Sequence, residues 1–342
     1  MVKQVDVYEE ITNKIIAAIE AGADEFKMPW HNGNGASLPV NAVTGKPYRG
    51  VNTIALWVDA MEKNFSTGIW ATYEQWKSIG AQVQKGARSS VIVFWKFIDD
   101  EKPGDDGESG RESTTEDKRM LARAYRVFNA DQVDGYTPPT LPQAAPGERN
   151  ERAESFFASL NAEIRHGGNR AFYSPGKDVI AMPPFEVFRD TTAYYATLSH
   201  ETTHWSGAKH RLDRDMTGRF GEQAYAMEEL VAELGAAFVV SDLGLTSEPR
   251  PDHAAYIGNW LQVLKNDKRA IFTASSKAQT AADYLHGLQP KTEMTEDQWR
   301  EMTHEANRAF QHADPNLDPV RIAQQKKANG SARVAAAKPA GP

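Results

Sequence analysis

Two pairs of polar residues at helical spacing, each embedded in an apolar stretch, constrain the fold of this chain most strongly. His200 and His204 are four residues apart in DTTAYYATLSHETTHW, a segment without glycine or proline. Glu229 and Glu233 are four apart in the alanine-rich segment YAMEELVAELGAAFVV. Residues at i and i+4 share one face of an α-helix, and carboxylates among apolar residues are costly unless they are paired or bind a metal. The sequence therefore predicts two helices that pack with these polar faces together.

The first pair belongs to the motif His-Glu-x-x-His, formed by His200, Glu201 and His204. Two neutral imidazoles on one helix face can bind a divalent ion, for which we expect Zn²⁺, with another ion such as Mn²⁺ as an alternative. Glu201 is then directed at the water on that ion and is the predicted general base of a hydrolase. Glu229 is the predicted third ligand and Glu233 the residue that orients a histidine, as in a gluzincin-like peptidase.

A second interpretation of the same segment remains open. The run HETTHWSGAKH also fits His-Glu-x-x-His-x-x-Gly-x-x-His, in which Gly207 forms a turn and His210 is the third ligand. This metzincin pattern also requires a methionine turn, for which Met216 and Met227 are weak candidates. It leaves the acids of the alanine-rich helix without a role, so we favour Glu229 over His210.

Composition divides the chain into segments. Residues 99–118 are acidic, rich in glycine and serine and almost without apolar residues, which predicts a mobile loop. The proline-rich segment 137–150 predicts a linker. The predicted domains are therefore 1–136, which includes the acidic loop, and 151–313, followed by a disordered tail at 314–342.

Hydrophobic periodicity predicts an α+β fold for both domains. The predicted helices are 5–21, 51–64, 72–79, 152–163, 185–206, 221–241, 252–266, 269–287 and 295–310. The predicted strands are 89–98, 123–133, 163–166, 170–173 and 179–184. The second domain is thus mostly helical after a few short strands.

The overall charge and composition exclude several classes of protein. A net charge of −7 excludes a basic surface over the whole chain, so any nucleic-acid site must be local. The absence of cysteine excludes disulfides, thiolate metal ligands and a cysteine nucleophile. The sequence shows neither a signal peptide nor an apolar run of about 18 residues, so we expect no membrane partner.

Basic charge is concentrated near the N-terminus. Residues 27–98 contain eight basic residues against three acidic ones, and five of the eight tryptophans. Basic side chains that pair with phosphates and rings that stack on bases are what single-stranded nucleic acid binding requires. The sequence leaves open which aromatics belong to the hydrophobic core. The predicted DNA contacts are Lys46, Tyr48, Arg49, Asn52, Trp70, Tyr73, Trp76, Lys85 and Arg88.

These segments resemble a known pair of domains. The runs TGKPYRGVN, TYEQWKSIGAQVQKGAR and YRVFNADQVDG resemble the single-stranded-DNA-binding domain of the ArdC antirestriction family, and SHETTHWSG with YAMEELVAELGAAFV resembles the metallopeptidase domain paired with it. Similar segments form the N-terminal part of plasmid TraC-type primases. The resemblance implies a zincin fold for residues 152–313. It also implies a cytoplasmic protein that binds single-stranded DNA and protects incoming plasmid DNA from host restriction during conjugation, with a host restriction component or another protein as peptidase substrate.

Two other functions stay open at the level of sequence. A pure binding protein would shield single-stranded DNA and keep the metal as a structural or vestigial element. Glu201 argues against it, because a structural site needs no general base. A metalloprotease unconnected with DNA is the second alternative, and the basic aromatic region argues against that.

Overall fold

The structure is a computed structural model, and it describes residues 6–23, 28, 38–99, 118–138, 146–216, 222–245 and 254–290. The predicted acidic loop, apart from its two end residues, lies outside these ranges. So do the predicted helix at 295–310 and the predicted tail at 314–342.

The N-terminal half is an α+β arrangement of three helices around a four-stranded sheet. The helices are α1 (Val7–Gly22), α2 (Val51–Glu62) and α3 (Tyr73–Ser78), and the strands are β1 (Val40–Asn41), β2 (Ile69–Ala71), β3 (Gln82–Val83), β4 (Ser90–Asp99), β5 (Lys118–Asn129) and β6 (Val133–Asp134). The sheet order is β1-β2-β5-β4, with β1 and β2 parallel and the other pairs antiparallel. Strands β3 and β6 form a separate antiparallel pair.

Local capping chemistry sets several of these boundaries. The Asp6 carboxylate accepts a hydrogen bond of 3.0 Å from the Tyr8 amide and so begins α1. The β5 strand ends earlier than the predicted 123–133, because the Asn129 side chain accepts from the Asp131 amide at 2.9 Å and starts a short 3-10 helix at Ala130–Gln132. Each boundary follows from a side chain that competes with the backbone for hydrogen bonds.

The C-terminal half is a small sheet followed by helices. Its elements are α4 (Pro146–Ser159), β7 (Glu163–His166), β8 (Phe172–Ser174), β9 (Val179–Met182), α5 (Thr191–Ser206), α6 (Gln223–Asp242), α7 (Ala254–Asn266) and α8 (Ala270–Gly287). The sheet order is β7-β9-β8, so β8 is at one edge. The predicted helix 185–206 was wrong in its first turns. Phe185–Val187 form a 3-10 helix, and α5 begins only after Asp190, which accepts from the Ala193 amide at 2.8 Å.

Helix α6 is central in this half and packs against α5, α7 and α8. Its residues 230–240 are all buried, so the helix has no solvent-facing side there. Gly235 allows α5 to come close, because a Cβ at this position would lie 2.6 Å from Cγ2 of Thr203. The close approach brings the acidic residues in the first half of α6 against α5.

The two halves share a hydrophobic core. Residues Met1–Gln289 form one compact unit, and its main core contains side chains from both halves. The ring of Trp57 in α2 lies 5.9 Å from that of Phe238 in α6, and the ring of Tyr8 in α1 lies 4.7 Å from that of Phe272 in α8. The second unit, Pro290–Pro342, lies outside the described residues except for Pro290. Within the described part of the chain, none of the helices has the length and apolar character needed to cross a membrane.

Candidate functional site

Two histidines of α5 and one glutamate of α6 converge on a single point. The Nε2 atoms of His200 and His204 are 3.1 Å apart, and each lies 3.5 Å from a carboxylate oxygen of Glu229. In a tetrahedral complex with metal–ligand distances of about 2.0–2.1 Å, neighbouring ligand atoms are roughly 3.3–3.4 Å apart. The distance from His200 is to Oε2 of Glu229 and that from His204 is to Oε1, and these separations are close to those of a tetrahedral ligand set, so the three side chains can bind a divalent ion together. Among the described residues, this is the one set of three histidine or acidic side chains close enough to bind a metal together.

The three side chains lie in the wall of a cavity of about 580 Å³, which Glu201 also lines. Glu201 follows His200 on α5, is 4% exposed and lines the same cavity as the two histidines and Glu229. The edge strand β8 contributes Phe172 and Tyr173 to the same wall. The cavity thus combines the predicted general base, the three predicted ligands and an edge strand.

A second carboxylate lies near the Nδ1 atom of each histidine, on the side of the ring away from Nε2. The Nδ1 atom of His200 lies 3.6 Å from Oε2 of Glu233, and the Nδ1 atom of His204 lies 3.2 Å from Oε1 of Glu228. A carboxylate at Nδ1 favours the tautomer that leaves Nε2 available to a metal. Glu233 is where the sequence placed it, whereas Glu228 was not identified from the sequence.

Glu228 is itself held by Arg214, which the sequence analysis also missed. Nε and Nη2 of Arg214 donate to the two carboxylate oxygens at 3.1 and 2.8 Å. Nη1 donates to the Ser206 hydroxyl at 2.9 Å. A Cβ at Gly207 would lie 2.7 Å from Nη2, so glycine is needed there to make room for the guanidinium group. The sequence signals that could have identified this ion pair were the acidic residue at position 228 and the run of basic residues after α5.

The electrostatics of the cluster favour positive charge at its centre. Burial lowers the pKa of His204, but the carboxylates of Glu228 and Glu229 outweigh it and raise that pKa to about 10. Burial raises the pKa of Glu229, but the two imidazoles outweigh it and hold the pKa well below its usual range. The pKa of Glu228 is lowered in the same way, because His204 and Arg214 overcome its burial.

His210 lies apart from this cluster. Its side chain is 62% exposed, and Nε2 is 3.3 Å from Oδ2 of Asp178. The neighbouring Arg211 binds the same carboxylate and stacks on Trp205, with its Cζ atom 3.9 Å from the ring centroid. The Tyr173 hydroxyl also donates to Asp178, at 2.8 Å. The segment after α5 therefore fastens the helix to the β8–β9 hairpin instead of supplying a third metal ligand.

Four of the predicted DNA contacts are buried and are corrected here. Trp70 and Trp76 are completely buried, and Tyr48 and Asn52 are 8% and 7% exposed. The Trp76 indole donates to the Phe128 carbonyl at 3.0 Å, and the Asn52 amide exchanges two 2.8 Å hydrogen bonds with the Val93 backbone. These side chains pack in the interior of the N-terminal half and stabilise it. They are therefore not available to stack on bases.

The other five predicted DNA contacts are exposed. One of them, Arg49, forms an ion pair with Asp283 of α8. The aromatic member of the set, Tyr73, is 42% exposed. The side chains that remain accessible for DNA contacts are therefore Lys46, Arg49, Tyr73, Lys85 and Arg88.

Two family models match successive parts of the chain. Residues 5–128 match the N-terminal domain of the anti-restriction factor ArdC, and residues 151–277 match a zincin-like metallopeptidase domain. The chain is 53% identical over 293 residues to the uncharacterized protein y4eC of Sinorhizobium fredii, a match that covers 85% of this chain and 95% of that protein. It is 36% identical to the DNA primase TraC of Escherichia coli over 83% of this chain, which is 20% of TraC.

Solved structures agree with these matches. The metal-free crystal structure of the antirestriction ArdC protein from the R388 plasmid has a TM-score of 0.69 and 40% identity, and covers 83% of this chain and 98% of that one. The Mn(II)-bound structure of the same protein has a TM-score of 0.67 and 38% identity, and covers 84% of this chain and 100% of that one. The chain therefore belongs to the ArdC antirestriction family, with an ArdC N-terminal domain followed by a zincin-like metallopeptidase domain.

Proposed function

We propose that this protein binds single-stranded DNA and hydrolyses peptide bonds at a divalent-metal site, and that it thereby protects incoming DNA from host restriction in the cytoplasm during conjugation. The observation that carries the peptidase activity is the convergence of His200, His204 and Glu229 in a cavity that Glu201 also lines. Membership of the ArdC family supports the antirestriction role.

His200, His204 and Glu229 would hold the metal. Two imidazoles and one carboxylate suit Zn²⁺, which we propose as the ion, and the Mn(II)-bound relative supports Mn²⁺ as an alternative. When bound, a divalent ion supplies Lewis acidity that activates water and polarises a carbonyl group. The carboxylate of Glu233 holds the imidazole ring of His200 in position through its Nδ1 atom, and the carboxylate of Glu228 does the same for His204.

Glu201 is the general base in this proposal. Its carboxylate accepts a proton from the attacking water and passes that proton to the nitrogen of the scissile bond, so that the leaving group departs as a neutral amine and not as an amide anion. Substrate reaches it through the open cavity, where an extended peptide can pair with the edge strand β8. A protein substrate, such as a component of a host restriction system, suits a cavity of about 580 Å³.

The composition of the site favours catalysis over a structural metal. Structural zinc sites are closed by four protein ligands, whereas catalytic sites have three and leave a position for water or substrate. Three side chains converge here, and they do so in a cavity. This arrangement argues against a protein that only shields DNA and keeps a vestigial metal.

Exposed basic side chains of the N-terminal half support the DNA-binding part of the proposal. Lys46, Lys85 and Arg88 are exposed, and cations that neutralise phosphates supply most of the affinity for nucleic acid. We expect little sequence preference and weaker binding as salt rises, with a slope of about −0.7 per phosphate contacted.

The test uses Glu201→Gln in the full chain, with Glu186→Gln, an exposed acid outside the cluster, as matched control. Three quantities are measured: metal content, affinity for labelled oligo-dT, and protection of an unmodified plasmid during conjugation into a restricting host. We expect Glu201→Gln to keep metal and DNA affinity but to lose protection, and Glu186→Gln to behave as wild type.

Other outcomes separate the alternatives. Full protection by Glu201→Gln would show that the protein shields DNA and that hydrolysis is dispensable. Failure of the wild-type protein to bind oligo-dT at low salt would refute the DNA-binding part and favour a metalloprotease unconnected with DNA. Loss of metal from Glu201→Gln would refute the assignment of this residue as a base that does not bind the metal.

A further inference from the structure

Two aromatic side chains on the β4–β5 hairpin are exposed together. Phe94 is 51% exposed and Tyr125 is 39% exposed, and their ring centroids are 5.3 Å apart in an edge-to-face arrangement. In the strand register Phe94 is opposite Arg123, and Ile92 is opposite Tyr125, so both rings project from the same face of the hairpin. Ile92 is buried in a small cluster with Leu56 of α2 and with Trp70 and Val127, whereas the two rings further along the same face are exposed.

A cation completes this patch. The guanidinium carbon of Arg123 is 5.5 Å from the centroid of the Tyr125 ring, and Arg123 is itself exposed. The patch therefore presents two rings and one positive charge on a strand pair, which holds side chains more rigidly than a loop does. Trp95, which points to the opposite face, fixes the hairpin to α8, with its ring 6.3 Å from that of Phe272.

We propose that Phe94, Tyr125 and Arg123 form a platform on which bases of single-stranded DNA stack. The inference rests on the proposed DNA-binding function and assigns to it a surface that the sequence analysis did not identify. Bases stack on exposed rings without regard to sequence, and an arginine beside them pairs with the backbone phosphate.

Charge complementarity favours nucleic acid as the occupant of this face. In the strand register, Lys96, Arg119 and Arg123 belong to the same face as Phe94 and Tyr125. The one acid of β4 and β5, Asp99, belongs to the opposite face with Lys118 and Arg126, in a chain whose net charge is −7. The acid, Asp99, is five positions beyond Phe94, or about 17 Å at roughly 3.3 Å per residue, which exceeds the Debye length of about 8 Å at physiological salt. The connecting segment 100–117, with eight acidic and two basic residues, lies outside the described residues, and the proposal uses the strands alone.

Tyr73, which the sequence predicts as a DNA contact, provides a comparison within the same half of the chain. It is 42% exposed, comparable to the platform residues, but its hydroxyl accepts a hydrogen bond of 3.3 Å from Gln82, and it lies on α3. A lone ring of this kind offers a base one contact, whereas the Phe94–Tyr125 pair offers two adjacent ones.

The experiment measures binding of fluorescent oligo-dT by the full chain. Phe94→Ala and Tyr125→Ala are each expected to weaken binding by about 5- to 150-fold, since the loss of one stacking ring costs about 1–3 kcal/mol. Tyr125→Phe keeps the ring and is expected to keep the affinity, whereas Tyr73→Ala, which removes a lone ring, is expected to weaken binding less than either platform variant. Arg123→Gln is expected to reduce the slope of log affinity against log salt by about 0.7.

The outcomes distinguish this proposal from the function on which it rests. If the wild-type chain does not bind oligo-dT, the DNA-binding function itself is refuted. If it binds, and Phe94→Ala and Tyr125→Ala bind equally well, the platform is refuted and the function stands. Loss of a wild-type dimer in these variants, with DNA affinity unchanged, would also overturn the platform and assign the face to self-association.

A measurement on the unmodified chain covers the case in which a variant does not fold. Oligonucleotides that contain 5-iodouracil crosslink on irradiation to aromatic side chains stacked on the base. Peptide mapping of the crosslinked wild-type chain is expected to identify Phe94 or Tyr125. Crosslinks confined to other residues, such as Tyr73, would overturn the proposal.

Discussion

Removal of the Arg214 guanidinium tests whether the group that binds Glu228 at the metal site also stabilises the fold. In Arg214→Met the side chain keeps a similar length but loses its charge and its donors. Glu228 then keeps the bond from His204 and loses those from Arg214, and the Ser206 hydroxyl and the Thr203 carbonyl each lose a donor.

The expected cost follows from the burial of the pair. The side chains of Arg214 and Glu228 are 5% and 9% exposed. Removal of one partner from a buried ion pair costs about 3–5 kcal/mol, because the other charge is left without compensation. Since Glu228 retains His204, we take the lower end, about 3 kcal/mol. At about 2–4 °C per kcal/mol for a domain of this size class, Tm should fall by roughly 6–12 °C.

Thermal unfolding in the presence of a chelator measures this cost apart from metal binding. The double variant Arg214→Met with Glu228→Gln should recover part of the lost Tm, because the uncompensated carboxylate is then neutral. An Arg214→Met protein whose Tm stays within about 2 °C of wild type would refute the argument from burial. So would a double variant that is less stable than Arg214→Met alone.

Three further predictions concern the metal site and the core. Glu229→Gln should lose most of its bound metal and His210→Ala should keep it, as measured by elemental analysis of the purified proteins; the reverse result would indicate a metzincin-type site. Glu233→Gln should weaken metal affinity by about 10–100-fold in a competition titration, because the imidazole of His200 loses its orienting carboxylate, and an unchanged affinity would contradict that role. Trp76→Ala should cost about 3–5 kcal/mol in denaturant unfolding, and a cost below about 1 kcal/mol would contradict its burial in the core.

The sequence was sufficient where the geometry is local. The i and i+4 spacing places His200 and His204 on one helix face, whatever the rest of the chain does. The placement of Glu229 needed one further step, the cost of burying an acid, and this step is also independent of tertiary detail. Both arguments identified residues that the structure brings together.

The sequence was insufficient where partners come from separate segments. Arg214 binds Glu228, which is 14 residues further along the chain, and neither spacing nor composition specifies that contact. Composition likewise grouped Trp76 with the basic surface, although α3 packs it into the core. Ile92 is buried in a cluster with Leu56 and Trp70, whereas Phe94 on the same face is exposed, and the alternation of a strand does not predict this difference.

The shared core limits how the two halves can be separated experimentally. Helix α1 packs against α7, and Trp57 of α2 is 2% exposed beside Phe238 of α6, so a fragment of residues 1–136 exposes apolar surface that is buried in the full chain. Full burial of one large apolar side chain contributes about 1.5–3 kcal/mol, and the loss of a few such contacts is comparable to the whole stability of a domain, about 5–15 kcal/mol.

We therefore expect the isolated fragment to lack a cooperative unfolding transition. Its DNA affinity should consequently be weak whether or not the N-terminal half binds DNA in the intact protein. A cooperative melt together with a dispersed amide NMR spectrum of the fragment would contradict this expectation and show that the half folds alone. Until that result is obtained, substitutions in the full chain are the valid test of DNA binding, because they leave the contacts between α1, α2, α6 and α7 in place.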